Sequence, residues 1–149
     1  MISEMEKDCQ MENTVSFNLE MARNTIQSDG GPILYLDLDD ITVENDKLVV
    51  TAQVNENHLN TEGVVQGGIL YTICDQAMAV YDIASGRRGI GTEGSIHHYR
   101  PAKAGDILKA VVLPRKCGRT TSTYLVELYN QAGKLIADAM FTSYYGRNF

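Results

Sequence analysis

Asp75 is the only charged residue between Glu62 and Asp82, and two glycines, Gly67 and Gly68, precede it by eight and seven positions. A carboxylate on an otherwise uncharged stretch is partly desolvated unless something hydrogen-bonds it, which raises its pKa and its basicity. Glycines that open a helix let a ligand approach free backbone N–H groups, where the helix dipole favours negative charge. An oxyanion site with a carboxylate one to two turns further along is a constellation for acyl-transfer chemistry. Asn60, in the loop feeding the glycines, and Gln66, directly before them, add amide groups. Amides donate and accept hydrogen bonds but carry no proton at neutral pH. An Asx turn is the structural alternative for a loop asparagine.

These residues need a helix to hold them, and the apolar pattern supplies one. Leu70, Ile73, Ala77, Val80 and Ala84 recur at steps of three and four, the stripe of an amphipathic helix. At about 100° per residue, Asp75 falls on a second line with Gly68, Tyr71 and Met78. A helix uncharged on two faces is covered on both. Gly86 follows as a left-handed cap.

Around the helix the period is two. Leu34, Leu36 and Leu38 alternate with Tyr35, Asp37 and Asp39, and Leu48, Val50, Ala52 and Val54 mark a second strand beyond the Glu44-Asn45-Asp46 turn. Strands at 90–100, 107–113, 121–129 and 135–145 follow, separated by turns at 101–106, 116–119 and 130–133. One helix among about six strands with short connections is an α+β fold, an antiparallel sheet wrapped on a helix. Residues 1–31 read as an N-terminal extension, helical from about Thr14 to Gln27 with Asn13 or Thr14 as cap, which packs over the sheet edge. Residues 32–149 form the main domain.

Composition narrows the function classes. A net charge of −6 argues against general binding to nucleic acid or an anionic membrane surface. Met1 to Cys9 has no apolar core and is not a signal peptide, and no run reaches the ~18 apolar residues of a membrane span. Cys9, Cys74 and Cys117 are odd in number and lack metal or redox spacing, so neither a disulfide framework nor a zinc site is expected. Together these place the protein in a reducing cytoplasm. His97 and His98 are adjacent, so on a strand they point to opposite faces, one exposed and one packed.

Asn60, the Val65-Gln66-Gly67-Gly68 run and Asp75 resemble the N-x-x-G-x-x-H-G-G-x(6)-D signature of hotdog-fold acyl-CoA thioesterases, in the branch that includes the phenylacetate-pathway enzymes. Tyr99-Arg100-Pro101-Ala102-Lys103-Ala104-Gly105-Asp106 resembles that branch's Y/F-x-R-P-x-x-x-G-D turn, without the spacer before the arginine. The resemblance covers residues 32 to 146, and Gln66 stands where the family has histidine. It implies a hotdog homodimer, or a dimer of dimers, that hydrolyses an acyl-CoA without metal or redox cofactor, coenzyme A being part of the substrate. It also implies sites at the subunit interface: Asn60 and the Gly67 N–H from one subunit, with Gln66 holding the loop, and Asp75 from the other as nucleophile or general base. Thr92 is the expected hydroxyl that orients water, with Gly91 in its place if the alignment is off by one. Arg100, Lys103, Arg115, Lys116 and Arg119 suit the phosphates of coenzyme A.

Two other functions fit the same fold. A non-hydrolytic acyl-CoA-binding protein is consistent with Gln66. A dehydratase of hydroxyacyl thioesters relies on a histidine paired with an acid, and His58, His97 and His98 all lie outside the helix-start motif.

Overall fold

A computed structural model describes residues 16–28 and 37–146. Along the chain come α1 (Leu19–Ser28), β1 (Asp37–Glu44), β2 (Lys47–Gln53), a 3-10 turn (Glu56–His58), α2 (Gly67–Ala84), β3 (Ile90–His98), β4 (Ile107–Cys117), β5 (Thr121–Tyr129) and β6 (Leu135–Tyr144). The strands make one antiparallel sheet in the order β1-β2-β4-β5-β6-β3. The α+β architecture expected from the sequence is the one found.

Each end has a local cause. The β1–β2 hairpin turns on Asn45 and Asp46 at φ 49° and 63°, the left-handed pair of a two-residue turn that matches strand twist. Helix α2 stops where Gly86 takes φ 77°, and its N–H closes on the Ile83 carbonyl at 3.0 Å. All five stripe residues, Leu70, Ile73, Ala77, Val80 and Ala84, are buried. Against them stand alternate residues of β5, Tyr124, Val126 and Leu128, each fully buried. A side chain the size of Ile73 or Leu128 contributes about 1.5–3 kcal/mol when buried this way.

Helix α1 covers one side of this assembly. Asn18 Oδ1 caps it by accepting from the Met21 N–H at 2.9 Å. The expected caps, Asn13 and Thr14, lie outside the described residues, as does the expected boundary at residue 31. Phe17 packs edge-on against Tyr81 at 5.2 Å, and Arg23 reaches the Ile41 carbonyl of edge strand β1. The described part of the extension, residues 16–28, therefore packs on α2 and the β1 edge. The strand read from Ile33 to Asp39 begins outside the described residues and runs on to Glu44, burying Ile41.

At its far end α2 carries a second carboxylate, Asp82, only 2 % exposed. It accepts hydrogen bonds from the hydroxyls of Tyr124 (2.5 Å), Ser143 (2.6 Å) and Tyr145 (2.7 Å). Burial, and then the Asp82 charge, push the Tyr124 phenol far above its ordinary range. Arg87 lies over the Tyr145 ring at 5.0 Å and donates to Ser122 Oγ and the Gly118 carbonyl. A Cβ on Gly89 would overlap Ser143 Oγ, so this network fixes the entry to β3.

One cysteine expectation is corrected: Cys117 is disulfide-bonded, while Cys74 is a free, buried thiol. The cysteines therefore no longer argue for a reducing compartment. Among the described residues no helix is long and apolar enough to cross a membrane.

Candidate active site

Helix α2 and edge strand β3 lie side by side in opposite directions, and glycines on the strand bring them close. A Cβ on Gly94 would overlap Tyr71 Oη and come within 2.8 Å of the Phe141 ring. A Cβ on Gly91 would sit 3.5 Å from both Asp75 Oδ1 and Met78 Cε. A Cβ on Gly67 would meet His98 Nε2 at 3.0 Å. The helix face bearing Gly67, Tyr71, Asp75 and Met78 is thus laid along β3. The sequence suggests that Tyr71 and Met78 are left for a partner to cover. Instead Met78 is 3 % exposed within the protomer, and the open surface is β3 itself, exposed over most of its length.

Asp75 sits midway along this seam, half-buried. Desolvation raises its pKa, and no described residue donates it a hydrogen bond. Asp82, about two turns further along the same helix, shows the contrast: three hydroxyls occupy it. An unpartnered, partly desolvated carboxylate is a base waiting for a proton donor.

The loop before α2 is built to present the helix start. Asn60 Oδ1 accepts from the N–H groups of Glu62 (2.9 Å) and Val64 (3.3 Å), an Asx-type clasp. The Gln66 N–H donates to the His58 carbonyl, and the Val65 N–H to the Ala102 carbonyl, both at 2.8 Å. Gln66 is the N-cap residue; its side chain is exposed and makes no capping bond, while its carbonyl accepts from Ile69 and Leu70. The N–H groups of Gly67 and Gly68 are left without a described acceptor, which is what an anion or polarised carbonyl needs.

Thr92 and Gly91 exchange the places expected for them. A bulge between Gly91 and Glu93 shifts the pairing with β6, and Thr92 Oγ1 donates to the Thr142 carbonyl at 3.4 Å. The position facing Asp75 is Gly91, which has no hydroxyl.

Sequence reasoning missed His98, left among histidines outside the motif. Its signal was parity: Ile96 is apolar and faces the helix, and His98, two residues on, shares that face. His97 points the other way, 3.6 Å from Asp138 Oδ1 and stacked on Tyr99. His58 is buried, with Nδ1 accepting from the Asn55 N–H at 3.0 Å.

The five basic residues do not converge. Arg100 and Lys103 lie at the Gly67 end of the sheet, where Arg100 donates to the Leu135 carbonyl at 2.8 Å. Arg115, Lys116 and Arg119 lie at the opposite end, around the β4–β5 turn beside Arg87. Cys74, next to Asp75, is no nucleophile: burial, then Asp138 and Asp75, push its thiol up to about 12. Among the described residues no three His, Cys, Asp or Glu side chains are grouped to hold a metal ion.

A long helix wrapped by a six-stranded antiparallel sheet, with a carboxylate and free helix-start N–H groups along one edge strand, defines a hotdog domain equipped for acyl-group chemistry. The chain belongs to the thioesterase superfamily, whose family model matches residues 62–137, a stretch holding Gly67, Asp75, Gly91 and His98. It is 32% identical over 102 residues to the acyl-coenzyme A thioesterase PaaI of Escherichia coli, covering 68% of this chain and 73% of that one. The solved E. coli PaaI structure superposes with a TM-score of 0.80 at 26% identity, over 90% of this chain and 97% of that one. A putative esterase of Archaeoglobus fulgidus is 37% identical over 91 residues, 61% of this chain and 59% of that one, so the match spans less than two thirds of the archaeal protein. The structure of smu.793 from Streptococcus mutans, bound to acetyl CoA, matches with a TM-score of 0.67 and 30% identity, over 72% of this chain and 87% of that one.

Proposed function

We propose that the protein hydrolyses an acyl-CoA to free acid and thiol at a site shared between two copies of the chain. The observation that carries this reading is Asp75: half-buried, without a described hydrogen-bond donor, and raised in pKa by desolvation. It lies on the helix that also offers the free N–H groups of Gly67 and Gly68. The names of the relatives and the acetyl-CoA-bound neighbour support the substrate class.

Asp75 acts as general base. It takes a proton from water as the water oxygen bonds to the thioester carbonyl carbon, and the carbonyl oxygen, now negative, is held by the Gly67 N–H. Collapse of that intermediate breaks the C–S bond, and the departing thiolate takes a proton back. No metal or redox group enters this scheme, and coenzyme A is part of the substrate. Gln66 holds the helix start through its backbone, and Asn60 holds the loop. The basic residues at one end of the sheet bind the nucleotide phosphates.

Distance requires the second copy. Eight residues of helix, at about 1.5 Å each, separate Gly67 from Asp75 by roughly 12 Å. A base and an oxyanion donor must both lie near 3 Å from one carbonyl group, so the two cannot serve the same thioester from one chain. The uncovered β3 edge offers the remedy, since an exposed row of backbone groups pairs readily with another strand. Antiparallel pairing of β3 with its copy, about a two-fold near Gly94 and Ser95, sets residue 98 of one strand opposite residue 91 of the other. That brings each Gly67 end to the partner's Asp75. A dimer of such dimers repeats the same sites.

A free-thiol release assay over short, long and aromatic acyl-CoAs tests the reading. Thiol release from at least one substrate, lost in Asp75→Asn, is expected. Binding without release from any of them would instead favour a non-hydrolytic acyl-CoA-binding protein, the reading that exposed Gln66 keeps in view.

A further inference from the structure

His98 lies at the end of the seam where Gly67 begins the helix. The Nε2–Cε1 edge of its ring faces the glycine, 3.0 and 3.2 Å from where a Cβ would stand. Its side chain makes no hydrogen bond or ion pair with any described residue, and the residue is exposed. No described residue therefore uses this imidazole. The residue it faces on α2 is Gly67, whose N–H has no described acceptor, while those of Ile69 and Leu70 are already bonded to the Gln66 carbonyl. Gln66, the residue before Gly67, is exposed and its side chain caps nothing.

We infer that His98 is a catalytic residue of the hydrolysis proposed above, the side-chain donor of its oxyanion site. Its Nε2–H hydrogen-bonds the carbonyl oxygen beside the Gly67 N–H as negative charge collects there. Both imidazolium and the neutral Nε2–H tautomer carry that proton, and no described partner fixes the other tautomer. A donor aimed at developing charge is worth more in the transition state than in the ground state, so its loss falls on kcat. Gly67 is required for the same reason, because any side chain there would press on the ring.

Two variants separate donation from packing. His98→Phe keeps a ring against Gly67 and removes the donor; His98→Gln keeps an N–H donor and removes the ring. With urea midpoints as a check on folding, His98→Phe is expected to lose at least ~10-fold in kcat with KM changed by less than ~3-fold. His98→Gln is expected to retain more activity than His98→Phe. Parent kcat in the phenylalanine variant, or a glutamine variant no better than it, overturns the assignment.

Histidine-¹⁵N NMR with a methyl-ketone analogue of acetyl-CoA, which keeps the carbonyl and cannot be hydrolysed, separates this assignment from the reading it rests on. The His98 Nε2 resonance should move on saturation while that of His97 stays. An unmoved His98 in protein that binds the analogue overturns the His98 role alone. Protein that neither binds the analogue nor releases thiol from any acyl-CoA overturns both.

Discussion

Asp75 and Gly91 face each other across the seam between α2 and β3, a Cβ on the glycine standing 3.5 Å from Oδ1 of the aspartate. That separation is ordinary van der Waals contact, so position 91 accepts a small side chain. Gly91→Ser would bring a hydroxyl to the carboxylate, and a hydrogen bond to the charged form lowers its pKa. The acid limb of the kcat/KM profile should therefore move to lower pH in this variant. Thr92→Val, whose hydroxyl serves the Thr142 carbonyl, should leave that limb in place. A limb that moves with Thr92 and not with Gly91 would reverse the assignment of the two positions.

The raised pKa of Asp75 also has a sign for stability. Desolvation makes the charged form less favourable in the folded than in the unfolded chain, so the group helps stability at low pH and loses that help as pH rises through its folded pKa. Asp75→Asn should accordingly fold with a Tm at pH 7 equal to or above the parent's, an advantage that disappears below the ordinary aspartate range. Its hydrolytic rate should fall by at least ~10²-fold. Thermal melts at several pH values, beside thiol-release rates, check both halves; a lower Tm at pH 7 would mean that Asp75 is held by interactions absent from the protomer.

Asp82 should behave in the opposite way. Asp82→Ala leaves the hydroxyls of Tyr124, Ser143 and Tyr145 without their common acceptor in a buried site. Loss of about 3–5 kcal/mol in urea unfolding is expected, the scale for breaking a buried polar network. A loss under about 1 kcal/mol would show that water replaces the carboxylate.

The contrast between these two aspartates shows what the sequence could and could not disclose. Periodicity placed Leu70, Ile73, Ala77, Val80 and Ala84 on the buried stripe, and turn residues placed the strand ends, because both signals are local. Asp75 stood out for the same reason, as a charge on an uncharged face. Asp82 carried no local signal, since its three partners are contributed by β5, by β6 and by the residue after it, 42, 61 and 63 positions away. The Gly91–Thr92 exchange turns on one bulge, which shifts side chains by one residue and leaves no mark on hydrophobic pattern. His98 was half legible: adjacency to His97 implied opposite faces, and only the contact with Gly67, 31 positions away, says which face matters.

The basic clusters give a test of substrate orientation. Because they occupy opposite ends of the sheet, reversal of Arg100 and Lys103 together, or of Arg115, Lys116 and Arg119 together, should raise KM for acyl-CoA at one end only. Turnover of a truncated pantetheine thioester, which lacks the nucleotide phosphates, should be nearly unchanged in both. Equal effects on the two substrates would remove these residues from phosphate binding.

The shared site is tested most directly by mixing two inactive chains. Asp75→Asn and Gly67→Val each disable both sites of a homodimer, whereas a heterodimer of the two retains one intact site made from the unmodified Gly67 of one chain and the unmodified Asp75 of the other. Co-refolding equal amounts gives heterodimers as half of all dimers, each with one working site of two, so about a quarter of parent activity should return. Recovery near that level, with a dimeric mass by sedimentation, is the expected result. Dimers that form and regain no activity, or a monomeric parent with full activity, would contradict a site built across two copies of the chain.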